Sequence, residues 1–334
     1  MAADHLRYHY QTSLNASGKE LTLPGSTSAA APGGIADGGS IANGGSADNG
    51  GTRTILVDDS TLSPLETRPP LTRYVRDLAK RRHFIIADAQ SRAFAPSRDL
   101  WLGRAWLIIR PFLDALMYGL IFGLMLKTKG GIDNFIGYLV LGIAFFGLLT
   151  SLMSQGSGFI RAQRSFITAF RFPRAALVIS AALRTIFDAL PTLVVGILMA
   201  LATQWGTPLS WTIILVVPVT ILMCLFGTGL FFFVAWATAW IPDLKHFVNL
   251  FTRAWFFVSG VFFSIERFVD HEFMLRVMVS NPAYQFLTAV RGAVMYHELP
   301  TVQQWGTMAA WGLGAFLIGF LFFWSSEAKY TNVR

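Results

Sequence analysis

The sequence predicts an all-α integral membrane protein with about six transmembrane helices per protomer. Three observations carry that expectation. Hydrophobic residues make up 53% of the chain and charged residues only 14%, where a soluble globular chain carries about 25% charged residues. Apolar runs long enough for a bilayer core, about 20 residues in a helix, recur between residues 102 and 325. The basic residues behind the formal net charge of +8 cluster beside those runs. An anionic membrane surface is therefore the expected partner, and nucleic acid is not.

Residues 1–70 read as a disordered tail. The stretch 25–51 is Gly, Ser, Ala and Asn with few charges, and such a segment cannot bury enough surface to offset its ordering entropy. A partner-binding arm is the alternative. The first residues lack an apolar run of the length a secretory signal needs. Residues 71–98 form the next unit. Leu71, Val75, Leu78, Ile85, Ile86 and Ala89 recur near helical spacing, with Arg73, Arg76, Lys80, Arg81 and Arg82 among them. This pattern predicts a basic amphipathic helix on a membrane surface.

Residues 99–334 form the transmembrane domain. The expected spans are 102–126, 134–153, 176–203, 209–240, 247–264 and 305–325. No charge occurs between Ala189 and Pro242. That stretch would be roughly 80 Å long as one helix, at about 1.5 Å per residue, so it must cross twice. Gln204-Trp205-Gly206-Thr207-Pro208 supplies the turn. Orientation follows from the positive-inside rule. Arg161, Arg164, Arg171 and Arg174 lie between the second and third spans, and no acidic residue occurs between Ser154 and Phe187. This loop, the Arg-rich segment before the first span and both termini are expected in the cytoplasm.

Two segments stand out. In the loop after the second span, Phe159, Ile160, Gln163, Phe166, Ile167 and Phe170 share one helical face. Arg161, Arg164, Thr168 and Arg171 share another, and Pro173 ends the pattern. A cytoplasmic helix with exposed aromatics should dock onto a membrane or a protein. It is either a plain interfacial helix or a coupling helix seated in a cytoplasmic ATPase. Between the fifth and sixth spans, Asn281-Pro282 breaks an external segment. The apolar run 283–296 is about 21 Å long at 1.5 Å per residue, too short for a core of about 30 Å. Short re-entrant or surface helices are expected here, with or without a gating role. Arg291 is too costly to face lipid deeply.

Charges inside the spans are few. Arg110 and Asp114, and Arg184 and Asp188, are each four residues apart and can pair along their own helices. Gly119 and Gly123 form a small-xxx-small pattern. Trp106, Tyr118, Phe122, Phe145, Phe146, Trp255 and Phe256 are candidates for lining an aromatic path suited to a sugar's C–H faces. Lipid contact or an interfacial belt is the alternative. Catalysis has little support: no P-loop and no His-Glu-x-x-His motif occurs. The single cysteine, Cys224, allows neither an internal disulfide nor a Cys-based metal site.

Four stretches carry a family resemblance. The basic helix leads into Trp106-Leu-Ile-Ile-Arg-Pro-Phe-Leu113 and Tyr118-Gly-Leu-Ile-Phe-Gly123. Phe170-Arg-Phe-Pro-Arg174 follows the second span. Pro242-Asp-Leu-Lys-His-Phe247 leads into the fifth, and Asn281-Pro-Ala-Tyr-Gln-Phe286 with Arg291 precedes the sixth. From about residue 71 onward the chain resembles ABC-2-type exporter permeases of the polysaccharide-export, Wzm/TagG-like group. It departs from them at Ser259-Gly260-Val261, where the family commonly has Ser-Pro, and at Pro242, where Arg is usual.

The resemblance implies a non-catalytic permease subunit in the plasma (inner) membrane, with no cofactor bound by this chain. ATP and Mg would sit on a separate nucleotide-binding subunit. A homodimer of this chain would pair with two ATPase copies and export a polyprenyl-diphosphate-linked glycan of O-antigen, teichoic acid or galactan type. Arg161, Arg164, Phe166, Phe170, Arg171, Phe172, Pro173 and Arg174 would couple to the ATPase. Asn281, Pro282, Tyr284 and Arg291 would form an external gate. Arg92, Arg98 and Arg104 would receive the lipid diphosphate, unless they bind lipid head groups alone. A drug or lipid exporter of the same architecture stays open, as does a membrane glycosyltransferase, which would require acidic or His clusters at an interface.

Overall fold

The computed structural model describes residues 70–93, 134–169, 172–204, 210–262 and 272–332, with the isolated positions 109, 112–113 and 116–117. The described regular structure is helical throughout. The tail before Pro70 lies outside these residues. So do nearly all of the expected first span, the Arg110–Asp114 pair, and Gly119 and Gly123.

The expected interfacial helix is two helices, α1 (Leu71–Lys80) and α2 (Arg82–Arg92), broken at Arg81. Tyr74, Ile85 and Ala89 turn toward the rest of the protein, while Leu71, Val75 and Ile86 remain exposed. Among the described residues, four helices are long and apolar enough to cross a membrane: Phe135–Gln155, Ala175–Ala202, Trp211–Trp240 and Val302–Ser325. These are α3 (Phe135–Gln155), α6 (Ala175–Ala202), α7 (Val216–Trp240, preceded by the 3-10 turn Trp211–Leu215) and α11 (Val302–Ser325).

The expectation of about six spans is therefore corrected to four among the described residues. The segment expected as the fifth span forms α8 (Leu244–Val258), a helix of 15 residues. At 1.5 Å per residue it reaches about 22 Å, short of a core of about 30 Å. It stops at Ser259, and Gly260 follows in a left-handed conformation, φ 64°. Local hydropathy does not register that stop.

N-cap side chains start two of the helices that cross, α3 and α11. The Asn134 carboxamide oxygen accepts from Gly137 N at 3.0 Å to start α3. Thr301 Oγ1 accepts from Gln304 N at 3.2 Å to start α11. Inside the helices, hydroxyls return to backbone carbonyls one turn back, as in Thr220 to Val216 O and Thr228 to Cys224 O, both 2.7 Å. These two hydroxyls then do not have to face hydrocarbon unpaired. The Arg184–Asp188 pair forms along α6 at 3.6 Å.

Helix α3 is the core of the bundle and is covered on most sides. Helices α7 and α11 approach most closely where glycines face each other. A Cβ on Gly319 would lie 2.2 Å from Gly229 O, and one on Gly229 would lie 2.4 Å from the Ala315 carbonyl carbon. Small residues that let backbones touch are the usual means of joining helices in lipid, where apolar contact alone gives little advantage over the acyl chains.

Long-range bonds define the two ends of the bundle. At the basic end, Thr238 of α7 donates to Gly156 O (3.1 Å) and accepts from Gly158 N (3.0 Å). At the opposite end, Asn134 donates to Thr203 Oγ1 (2.9 Å), Gln204 to Met295 O (2.7 Å) and Thr212 to Ala293 O (2.7 Å). The short helices α9 (Glu272–Ser280) and α10 (Pro282–Arg291) precede a π turn, Gly292–Tyr296. At 9 and 10 residues neither α9 nor α10 can cross.

Candidate functional site: a basic end and an arginine-centred opposite end

At the basic end, α3 ends at Gln155 and the chain turns through Gly158, φ 72°. The expected single amphipathic helix is two short ones, α4 (Phe159–Ala162) and α5 (Arg164–Ala169), separated at Gln163. Phe159 and Ile160 are buried, and the Phe159 ring meets Phe231 edge-on with centroids 5.1 Å apart. Phe166 and Phe172 pack against each other at 5.5 Å, and both contact Phe84 of α2. The aromatic face thus has an intramolecular partner. What the segment presents outward is Arg161, Ala162, Arg164, Ser165, Thr168 and Ala169. Arg161 also donates to Ala239 O at 3.3 Å, tying α4 to the end of α7. Phe170 and Arg171 lie outside the described residues.

Pro173 and Arg174 lead into α6, with Pro173 O accepting from Ala176 N at 2.9 Å. Arg174 N donates to Glu327 Oε1 at 2.9 Å. Tyr74 OH donates to Glu327 Oε2 at 2.8 Å and accepts from Ala175 N at 3.0 Å. Burial pushes the Glu327 carboxyl above its ordinary value, against the pull of the Arg174 N–H, the Arg174 charge and the Tyr74 hydroxyl. Burial, and then the neighbouring carboxylate, push the Tyr74 phenol well up.

At the opposite end, Asn281 is buried and uses both halves of its amide. Its oxygen accepts from Ala283 N (3.0 Å), capping α10, and from Trp255 Nε1 (2.9 Å). Its nitrogen donates to Ser259 Oγ (3.1 Å) and Val258 O (3.3 Å). Pro282 occupies the first turn of α10, where its missing N–H costs nothing. Tyr284 is half-buried.

Arg291 is only 2% exposed. Its guanidinium donates to three backbone carbonyls: Tyr138 O (3.2 Å), Gly260 O (3.0 Å) and Val261 O (3.1 Å). It also lies 3.4 Å over the Tyr138 ring, and Tyr138 OH donates to Gly260 O at 3.1 Å. One side chain thereby joins α10, the start of α3 and the turn after α8. Gly142 makes room for it, since a Cβ there would stand 2.3 Å from Arg291 Nη2.

The aromatic candidates separate by position. Phe145 and Phe146 of α3 and Trp255 of α8 are buried, and Phe146 contacts both Trp255 (5.5 Å) and Phe256 (5.2 Å). The rings that α8 leaves uncovered are Phe247, Phe251 and Phe257, flanked by Leu250. Trp106, Tyr118, Phe122, Arg98 and Arg104 lie outside the described residues, and Arg92 closes α2. Among the described residues no three His, Cys, Asp or Glu side chains gather into a metal-holding group.

Sequence reasoning passed over Phe84, Tyr74, Glu327 and Gly142. Phe84 and Tyr74 sit within the amphipathic pattern and were legible as aromatic positions on α1 and α2. Nothing local marks Glu327, whose partner Tyr74 is 253 residues away.

Comparison with known proteins bears on this geometry. The family model described as "ABC-2 type transporter" matches residues 91–295. The chain is 23% identical over 265 residues to the O-antigen export system permease protein RfbA of Myxococcus xanthus. That alignment covers 79% of this chain and 97% of the relative.

Proposed function

The chain belongs to the ABC-2 type transporter family, and we propose that it is the membrane permease subunit of a glycan exporter driven by a separate ATPase. The observation that carries the reading is the similarity, along nearly the whole relative, to a permease named for O-antigen export. In this reading the cargo is a polysaccharide on a polyprenyl diphosphate, and two copies of the chain enclose its path in the plasma membrane.

The basic end faces the cytoplasm, because Arg-rich loops are retained there. The α4–α5 segment meets the ATPase through Arg161 and Arg164. Phe166, Phe172, Pro173 and Arg174, continuous with Phe170 and Arg171, carry its displacement into α2 and α6. Asn281, Pro282, Tyr284 and Arg291 hold the outer mouth. The uncovered rings of α8 offer faces on which sugar C–H groups can stack. Arg92, Arg98 and Arg104 serve the diphosphate at the cytoplasmic side.

The uncovered apolar side of α8 would also suit acyl chains, which keeps a lipid or drug cargo as the competing reading. Conditional depletion separates the two. Lipid-linked polymer building up on the cytoplasmic side is the expected result. Unchanged delivery of glycan to the cell surface would remove the reading.

A further inference from the structure

We propose that Glu327 and Tyr74 are positioning residues that clamp the root of the α4–α5 segment to α1 and the C-terminal turn, so that displacement of the segment moves these elements as one body. The proposal rests on the coupling role given to that segment above.

The argument starts from the backbone. The first N–H groups of a helix have no intrahelical acceptor and need one from elsewhere. A neighbouring Ser, Thr, Asp or Asn usually supplies it, but α6 begins after Pro173-Arg174 and its N-cap residue makes no side-chain bond. The acceptors come from far along the chain instead. Glu327 Oε1 takes Arg174 N at 2.9 Å, across 153 residues. Tyr74 OH takes Ala175 N at 3.0 Å, across 101 residues. The two acceptors are joined by the Tyr74 hydroxyl at 2.8 Å from Glu327 Oε2. Both side chains are sealed from solvent, at 1% exposure for Tyr74 and 6% for Glu327. A helix start that only needed capping would not require a buried carboxylate from the opposite terminus.

The surroundings tie the clamp to other helices. Tyr330 donates to Phe323 O at 3.0 Å, and its ring lies 4.8 Å from that of Phe323, folding the C-terminal turn Glu327–Asn332 back onto α11. Trp236 of α7 donates to Ser326 Oγ at 3.0 Å. The Tyr74 ring packs against Phe320 of α11 at 6.1 Å. A second tie joins α2 to α6, where Ser180 donates to Asp88. The clamp therefore sits where the segment ends and where α1, α6, α7 and α11 meet. Separating α1 or the start of α6 from the C-terminal turn leaves buried N–H groups or the buried Glu327 carboxylate short of a partner.

Hydrogen exchange on the full chain assembled with its ATPase tests this, with and without ADP–vanadate. In the parent complex, trapping should change exchange at 159–169 and, together with it, at 71–80 and 327–332. In E327A the change should be confined to 159–169. E327Q keeps an oxygen for Arg174 N and should restore the spread, a rescue that lost stability alone would not produce. If E327A does not accumulate, Y74F, which removes a single hydroxyl, is read in the same way. A spread that persists in E327A or Y74F overturns the clamp and leaves the coupling reading intact. No change at 159–169 in the parent complex overturns both.

Discussion

Arg291 is held by three carbonyl oxygens and one aromatic face. A carbonyl left buried without a donor costs about 1–3 kcal/mol. R291A should therefore destabilise the protein by several kcal/mol, about 3 or more on that scale, read as a lowered unfolding midpoint in detergent. R291K keeps the charge but not the planar fork that reaches three acceptors, and its midpoint should fall between those of R291A and the parent. G142A should weaken the same site, because its methyl group would collide with Arg291 Nη2.

Glu327 makes a second prediction at this scale. Tyr74 faces its carboxyl from α1, Arg174 from the start of α6 and Tyr330 from its own turn. Burial raises its pKa in the folded state. Its contribution to stability is then fully present below the unfolded carboxyl range and is lost as pH rises through the elevated value. E327Q cannot ionise, so its stability relative to the parent should rise across that window. A thermal-unfolding series against pH reads the difference, and parallel curves for the two proteins would contradict the assignment.

Among the helices, the pair α7 and α11 depends on backbone contact at Gly229 and Gly319. Replacing Gly319 by Leu forces side-chain atoms into the Gly229 carbonyl and should abolish the monodisperse folded protein. Gly314 lies on the same helix with nothing within 4 Å of an added Cβ, so G314L should be tolerated. Size-exclusion profiles of the two variants measure the contrast. Helix α8 teaches a different lesson. Its composition reads as a span, yet it ends after 15 residues, and what ends it is tertiary. Asn281 and Arg291 take up the carbonyls of Val258, Gly260 and Val261, and Trp255 is tied to Asn281. A hydropathy window counts apolar residues and is blind to bonds from outside it.

Among the described residues, the two sets of long-range bonds put Gly156, Arg174 and Glu327 at one end and Gln204, Thr212, Ala293 and Met295 at the other. With Cys224 replaced by Ser, a cysteine at the exposed position 165 should react with an impermeant maleimide only after the cytoplasmic side is opened. One at the exposed position 301 should react in intact cells. Labelling of both from the same side would contradict the fold.

Membrane residence, the basic asymmetry of the loops, the Asn281-Pro282 break and the helical periodicity were determined by the sequence alone. Each follows from composition or from spacing within one turn or one hydrophobic run, and lipid enforces them strictly because an unpaired backbone group there has no water to turn to. Four matters were decided only by tertiary structure: where the segment after α7 stops, that the Phe166 and Phe172 rings turn in against Phe84, that Arg291 finds three carbonyls, and that Tyr74 finds Glu327. Each depends on contacts between stretches distant in the chain. Such contacts form only when helices close to within side-chain reach, and neither residue of a pair carries a local mark of the other.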